Sequence, residues 1–588
     1  MLQGMKDLTW FEMHDIRRKK FSSDVWIPIV KSQTFIKENC PGECGYLNEF
    51  ELLHSFCIPI SQRESAENTD WNTICSIHQV PFVEDGKYNP CYHYHHLSDQ
   101  ISWESLVVIQ RFGDGSIPYW HFSTDFIIAF NLKREQDKWL AVDEGYIEVA
   151  KITRTPQGKP QSFVVKANFL FDYLCAKNMG LMIYSYHHRQ ENVSDISHIS
   201  WKKNTQEIQG SDKWEGSLVP MGPNGFEPNA QLGVFSIFRN DANEDDIPVI
   251  SDEVTNDNSD SQIHVYRNSD RISYYNVTGR FWHKEWIAPG KKSPRIKKDE
   301  TPSSIFFIVD NQEKMCNSHD LREYFGWLWF SPDVINKLLV FRNSSLTWYT
   351  QNTGSISSGC SDSIHFGVNK IGLITVLAED ISFLPDWVQK VWAGFNVYPE
   401  GGVAEELFAA QINGIPASTE APEDLFLKSV EKCNNIFEEI YSKPLINISQ
   451  EWRKIYTRMH RFQAIDEIGL LKLAKDITRL TADSINRAML HHLITLSDKE
   501  KNLGSLKSLE RLISEKTDSK QAYNMLSPLF GVYDLRLADA HLASGKVDAA
   551  LQNIGVNPDS EFIYQGMIMI KQVASVLTKI SNTLEKNK

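Results

Sequence analysis

The chain has 588 residues, 41% of them hydrophobic and 23% charged, and a formal net charge of −14. That length exceeds what one hydrophobic core serves and predicts two to four domains of an ordinary soluble protein, while the acidity argues against a generic nucleic-acid coat. No apolar run reaches the length of a membrane span, the first twenty residues carry no secretory apolar core, and nine irregularly spaced cysteines make no disulfide framework, so a cytoplasmic protein without a membrane partner is expected.

Aromatic residues make up 11% of the chain, with 16 Trp, and this leans toward β-rich domains. Residues 1–160 bear that out in their pattern. Ser105–Phe112, Ile117–Leu132 and Trp139–Thr155 are short Val, Ile, Tyr and Phe runs punctuated by Gly, Asp and Pro, the signature of antiparallel strands. A helix is allowed around Asn48–Phe56. The period changes at Lys166–Asn178, where apolar positions suit a helix, and Leu181–His188 then reads as a strand ending in His187, His188 and Arg189. A second unit, residues 161–400, is therefore expected to be α+β and β-rich. It holds an acidic, polar stretch at 240–261 that reads as a mobile loop, strand-like runs at Ile272–Ala288, Ser303–Asp310, Ser345–Gln351 and Gly372–Ile381, and a buried strand followed by a short helix in Leu321–Leu339. The Gly401-Gly402 pair after Glu400 reads as a hinge or turn.

Beyond it the character becomes helical. Residues 401–462 form a helical linker region, with Val403–Ile412, Glu423–Lys443 and Glu451–Phe462 helical by composition. Residues 463–588 are expected to form a four-helix bundle. The first helix is Ile465–Leu496, with Ile468, Leu471, Ile477, Leu480, Ile485, Met489 and Leu493 in helical period. The second is Lys501–Lys516. The third begins with Ser527 as N-cap and Pro528 at the first helical position and stops at Gly545, and the fourth is Phe562–Leu584. This last portion is mildly basic, with about 20 Lys and Arg against about 16 Asp and Glu over residues 451–588.

The third helix carries Arg536-Leu-Ala-Asp-Ala-His541. An Arg-x4-His pair, with Ala before the His, in a late helix of a compact bundle resembles the HEPN ribonucleases, and the resemblance covers the C-terminal fifth of the chain. The resemblance implies a multidomain α+β protein ending in an all-α HEPN-like bundle. It implies a metal-independent endoribonuclease with Arg536 and His541 as catalytic residues, RNA as substrate, no cofactor, and a homodimer or higher even oligomer in which two Arg/His pairs line one cleft. The layout is similar to bacterial abortive-infection proteins, which adds antiviral defence as the role, a phage-derived trigger as partner and the N-terminal region as sensor or regulator.

The residue types suit that chemistry. A histidine titrating near neutrality moves protons to and from a 2′-hydroxyl or leaving oxygen, and a guanidinium grips a phosphate at two points. Asp539, between the pair, either orients a neighbouring histidine or neutralises Arg536. A second Arg-x4-His, Arg487 with His492, is the secondary candidate. Leu537 follows the arginine where many family members carry a polar residue. The rival reading is a non-catalytic sensor or interaction scaffold that dimerises through the bundle. Cys40 and Cys44 are the candidate zinc ligands, from thiolate chemistry and close spacing alone; no other metal ligand is expected.

Overall fold

The computed structural model describes residues 20–37, 47–71, 82–84, 87–89, 101–110, 117–193, 196, 197, 199, 201, 204–221, 274–300, 304–359, 363–495, 502–541 and 544–586. The chain divides into two compact units, Met1–Thr301 and Pro302–Lys588.

The first unit is built on one ten-stranded antiparallel sheet. Its strands are β1 (Trp26–Lys37), β2 (Leu47–Pro59), β7 (Leu132–Glu135), β8 (Lys138–Ala141), β9 (Ile147–Arg154), β10 (Pro160–Lys166), β11 (Met179–Val193), β12 (Thr205–Gln209), β13 (Asp212–Met221) and β14 (Tyr274–Ile287), and their order is β12-β13-β14-β11-β2-β1-β10-β9-β8-β7. Two further hairpins are β3 (Phe82–Glu84) with β4 (Lys87–Asn89) and β5 (Val107–Gln110) with β6 (Tyr119–Phe122). Helices α1 (Arg63–Glu67), α2 (Thr124–Ala129) and α3 (Ala167–Lys177) complete the unit.

The centre of this sheet is buried on both faces. Leu181 and Ile183 of β11 join Leu53 of β2 and Phe169, Leu170 and Leu174 of α3 in one core, while the alternating Met182 and Tyr184 join Phe56 and Trp282 in another. Gly180 is required by close approach, because a Cβ there would lie 2.0 Å from the Trp286 ring. Pro160, where the sequence suggests a new unit, opens β10 inside this sheet. The helix allowed at Asn48–Phe56 is instead β2, hydrogen-bonded to β1 on one side and β11 on the other. Ladder pairing along both edges overrides the local helical pattern. The run Ile117–Leu132 likewise holds a helix, α2, capped by the Ser123 side chain. His187, His188 and Arg189 lie within β11, not at its end. The stretch 240–261 and the pair Cys40 and Cys44 lie outside the described residues.

The second unit begins with a short pair, β15 (Phe306–Ile308) and β16 (Met315–Asn317), and a six-stranded antiparallel sheet. That sheet contains β17 (Trp327–Phe330), β18 (Ser345–Trp348), β19 (Thr353–Ser357), β20 (Ser363–Val368), β21 (Ile374–Leu377) and β22 (Asn396–Val397), in the order β18-β19-β20-β21-β17-β22. Helices α4 (Asp333–Leu339), α5 (Ala378–Ser382) and α6 (Asp386–Ala393) share its core, and α7 (Glu405–Ile412) packs on β20 through Leu407, against Gly367. Leu321–Leu339 contains the expected strand, β17, and the expected helix, α4.

The helical part of the same unit has α8 (Pro422–Tyr441), α9 (Gln450–Arg458), α10 (Glu467–Leu480), α11 (Arg487–Leu493), α12 (Ser505–Ser514), α13 (Ser519–His541), α14 (Ser544–Ile554) and α15 (Phe562–Lys586) around one core. It is larger than four helices. Phe426, Val430, Cys433 and Phe437 of α8, spaced at three and four residues, join Met569, Val573, Val576 and Ile580 of α15 in that core.

The expected single helix Ile465–Leu496 is broken at residues 481–486. The Thr478 and Thr481 hydroxyls turn back onto the carbonyls of Ala474 and Ile477, and Asn486 caps α11 by accepting from Met489 N at 3.1 Å. Ile468 points outward, 75% exposed. The helix expected to start at Ser527 starts at Ser519 instead, because the Asp518 carboxylate accepts from the backbone N–H groups of Lys520 and Gln521 at 2.9 Å each. Pro528 therefore lies inside α13, where buried Leu526, Leu529 and Val532 hold the helix together despite the missing donor. Gly545 falls in α14 and is not the stop.

Sheet and helices of this unit meet at Arg461, which is fully buried. Its Nε and Nη2 donate to the two Glu423 carboxylate oxygens at 2.9 and 2.6 Å, its Nη1 donates to the Gln351 carbonyl at 2.7 Å, and its guanidinium lies 4.1 Å over the Trp348 ring. Burial works to raise the Glu423 carboxyl, but the adjoining guanidinium outweighs it and holds the group below its ordinary range.

Candidate functional site

Helix α13 presents Leu526, Leu529, Val532 and Leu535 to the core, which leaves Arg536 at the margin and Leu537 outside. The Arg536 guanidinium is about one-third exposed. Its Nη1 donates to both oxygens of the Asp483 carboxylate at 2.6 and 2.7 Å, with the Tyr533 ring centroid 5.8 Å away. Nε and Nη2 make no hydrogen bond among the described residues.

Asp483 is placed by the turn that breaks the long helix. Its own N–H donates to the Thr478 carbonyl at 3.0 Å, and the Thr478 hydroxyl lies 3.4 Å from the Val532 carbonyl of α13. The neutralising partner of Arg536 in this structure is thus Asp483, a residue the sequence did not single out. The side chains of Asp539 and His541 lie outside the described residues; in the backbone, His541 is the last residue of α13.

The second Arg/His set lies on α11, a two-turn helix of its own. Arg487 Nε approaches His491 Nε2 at 3.4 Å, and that same ring nitrogen lies 3.0 Å from Ser508 Oγ of α12. Ser508 is fully buried and donates to the Gly504 carbonyl at 3.0 Å, so it serves as an anchor for the ring and is closed to a substrate. His492 is exposed and makes no hydrogen bond or ion pair among the described residues. The structure therefore joins Arg487 with His491, one helical turn on, and not with the predicted His492.

Two histidines elsewhere, one buried and one mostly buried, carry strong perturbations. His283 on β14 lies 2.5 Å from Asp212 and 3.4 Å from Glu285. Burial alone would lower its pKa, but the two carboxylates raise it to about 9. Glu285 is opposed by burial and yet falls to about 2, held by His283 and by the N–H groups of Phe21 and Ser22 at 2.8 Å each. His460, next to Arg461, is lowered to about 4 by burial, against the opposing pull of Glu423 and with a smaller push from Arg461, and its Nδ1 has no hydrogen-bond partner. His460 is buried, and the His283, Asp212 and Glu285 side chains are mostly buried, with 11–15% of their surface exposed.

No group of three or more His, Cys, Asp or Glu among the described residues has the arrangement to hold a metal ion. No helix among them is long and apolar enough to cross a membrane. Comparison of the chain with family models, with curated protein sequences and with solved structures finds no match.

Proposed function

We propose that this protein is a metal-independent endoribonuclease effector. In this reading Arg536 and His541 act on RNA, two copies associate so that both pairs line one cleft, and the sheet-bearing remainder serves as sensor or regulator in an anti-phage abortive-infection response. The observation that carries the reading is the state of Arg536: a partly exposed guanidinium, oriented by Asp483 through one nitrogen, with two N–H-bearing nitrogens left for a phosphate. His541 stands one residue more than a helical turn further on, about 500° of rotation from Arg536, so the two straddle an edge of the helix, which suits a site completed by a second copy. The arginine would hold the scissile phosphate and stabilise charge on its oxygens, while the histidine would take the 2′-hydroxyl proton.

A second reading, a non-catalytic scaffold that dimerises through the same helix, is favoured by Leu537, which is 51% exposed beside Arg536. Full-length protein incubated with labelled RNA in the presence of a chelator separates the two. Cleavage lost in both Arg536→Ala and His541→Ala, with unchanged melting, supports the nuclease. Cleavage that persists in both variants assigns the activity to another site, and the absence of cleavage from a demonstrable dimer supports the scaffold.

A further inference from the structure

Within the second unit, the turn after β20, the Gly401-Gly402 loop and the first turn of α15 border a half-open cavity of about 470 Å³, a size typical of small-molecule sites. Its walls are fixed. Asn369, 1% exposed, accepts from Ile371 N and Leu373 N at 3.2 and 3.0 Å and donates to the Glu400 and Gly402 carbonyls at 2.8 Å each. Trp329 Nε1 donates to the same Gly402 carbonyl at 3.1 Å, and the Tyr564 hydroxyl donates to the Asn369 carbonyl. Gly401 has φ of 70°, and a Cβ there would lie 2.6 Å from Ile371, so the loop has one conformation that only glycine takes.

Against this saturated frame, two lining groups are unpaired: Lys370 and Glu405, both exposed, make no hydrogen bond or ion pair among the described residues. One cation and one anion on the same cavity disfavour ligands of a single sign. Glu405 repels a phosphate, and Lys370 repels a polyamine.

We propose that this cavity binds a small zwitterion, a molecule with both an ammonium and a carboxylate group: Lys370 pairs with the carboxylate and Glu405 with the ammonium. Free α-amino acids and short peptides share that chemistry and differ in how far apart they hold the two charges. The site is independent of the ribonuclease reading.

The test is calorimetric titration of the full-length protein with two panels, the common α-amino acids and a set of di- and tripeptides. Saturable binding of one ligand per chain is expected from one panel. Lys370→Ala and Glu405→Ala should each weaken it at least about tenfold, in line with the loss of a charge-assisted hydrogen bond, and N-acetylation of the ligand should abolish it. Both substituted residues are exposed, so the melting temperature of the free variants should not move, which separates lost binding from lost folding. The proposal fails if neither panel binds, if binding survives both substitutions, or if N-acetylated compounds or inorganic phosphate bind as well as the zwitterion.

Discussion

Two histidines, one in each unit, are shifted in opposite directions. His283 sits between two carboxylates on a sheet and is pushed up to about 9; His460 sits beside a guanidinium at the joint between sheet and helices and is pushed down to about 4. Burial lowers both. At His283 the two carboxylates outweigh burial and make a stored cation, whereas at His460 burial prevails, because the pull of Glu423 is opposed by Arg461, and the ring is held neutral.

The largest effect should come from breaking the joint that surrounds His460. Glu423→Ala strands the fully buried Arg461 cation, and the second unit should lose about 3–5 kcal/mol, read by denaturant unfolding. A loss below about 1 kcal/mol would mean that the pair does not hold sheet and helices together.

Next comes acid. His460 has a folded pKa below its unfolded value of 6.5, so its contribution is complete above pH 6.5 and is lost as the pH falls toward 4. The span corresponds to about 3 kcal/mol, and His460→Phe should flatten that limb of the stability curve. His283 must do the reverse. Its folded pKa is raised, so its contribution is complete below pH 6.5 and disappears as the pH climbs through about 9. Because the ring is coupled to two partners, the expected loss is nearer about 2 kcal/mol, and His283→Gln should remove the alkaline slope. Ring-proton titration by NMR would sharpen the contrast directly: one resonance should move near pH 4 and the other near pH 9.

The smallest effect is expected at the surface. Asp483→Ala removes an ion pair whose partners are each about one-third exposed, and stability should change by less than about 1 kcal/mol. A larger change would class the Arg536 pair with the Arg461 pair as structural.

Local pattern made some elements legible and hid others. Phe562–Lys586 and Ser505–Ser514 follow the helical period of their apolar residues, and Leu321–Leu339 carries its strand and helix in order. The region Asn48–Phe56 did not reveal itself as strand, because pairing to β1 and β11 decides it and neither partner is local. Ser527-Pro528 imitates a helix beginning, whereas Asp518 supplies the working cap of α13 nine residues earlier. At the candidate site, the shared helix of Arg536 and His541 was visible in the spacing. Asp483, 53 residues from Arg536, was not, since no sequence period links an arginine to an acid in a distant turn. The cavity had one trace, the Gly401-Gly402 doublet, which signals unusual backbone without saying what it encloses.

The Arg461 joint also sets where this molecule can be cut. A fragment beginning at residue 463 retains α13 but discards α8, stripping the cover from Met569, Val573, Val576 and Ile580 along α15. Such a fragment should be sticky and prone to precipitate. The shortest well-behaved truncation begins at or before Pro302, where Glu423, Arg461, Gln351 and Trp348 travel together.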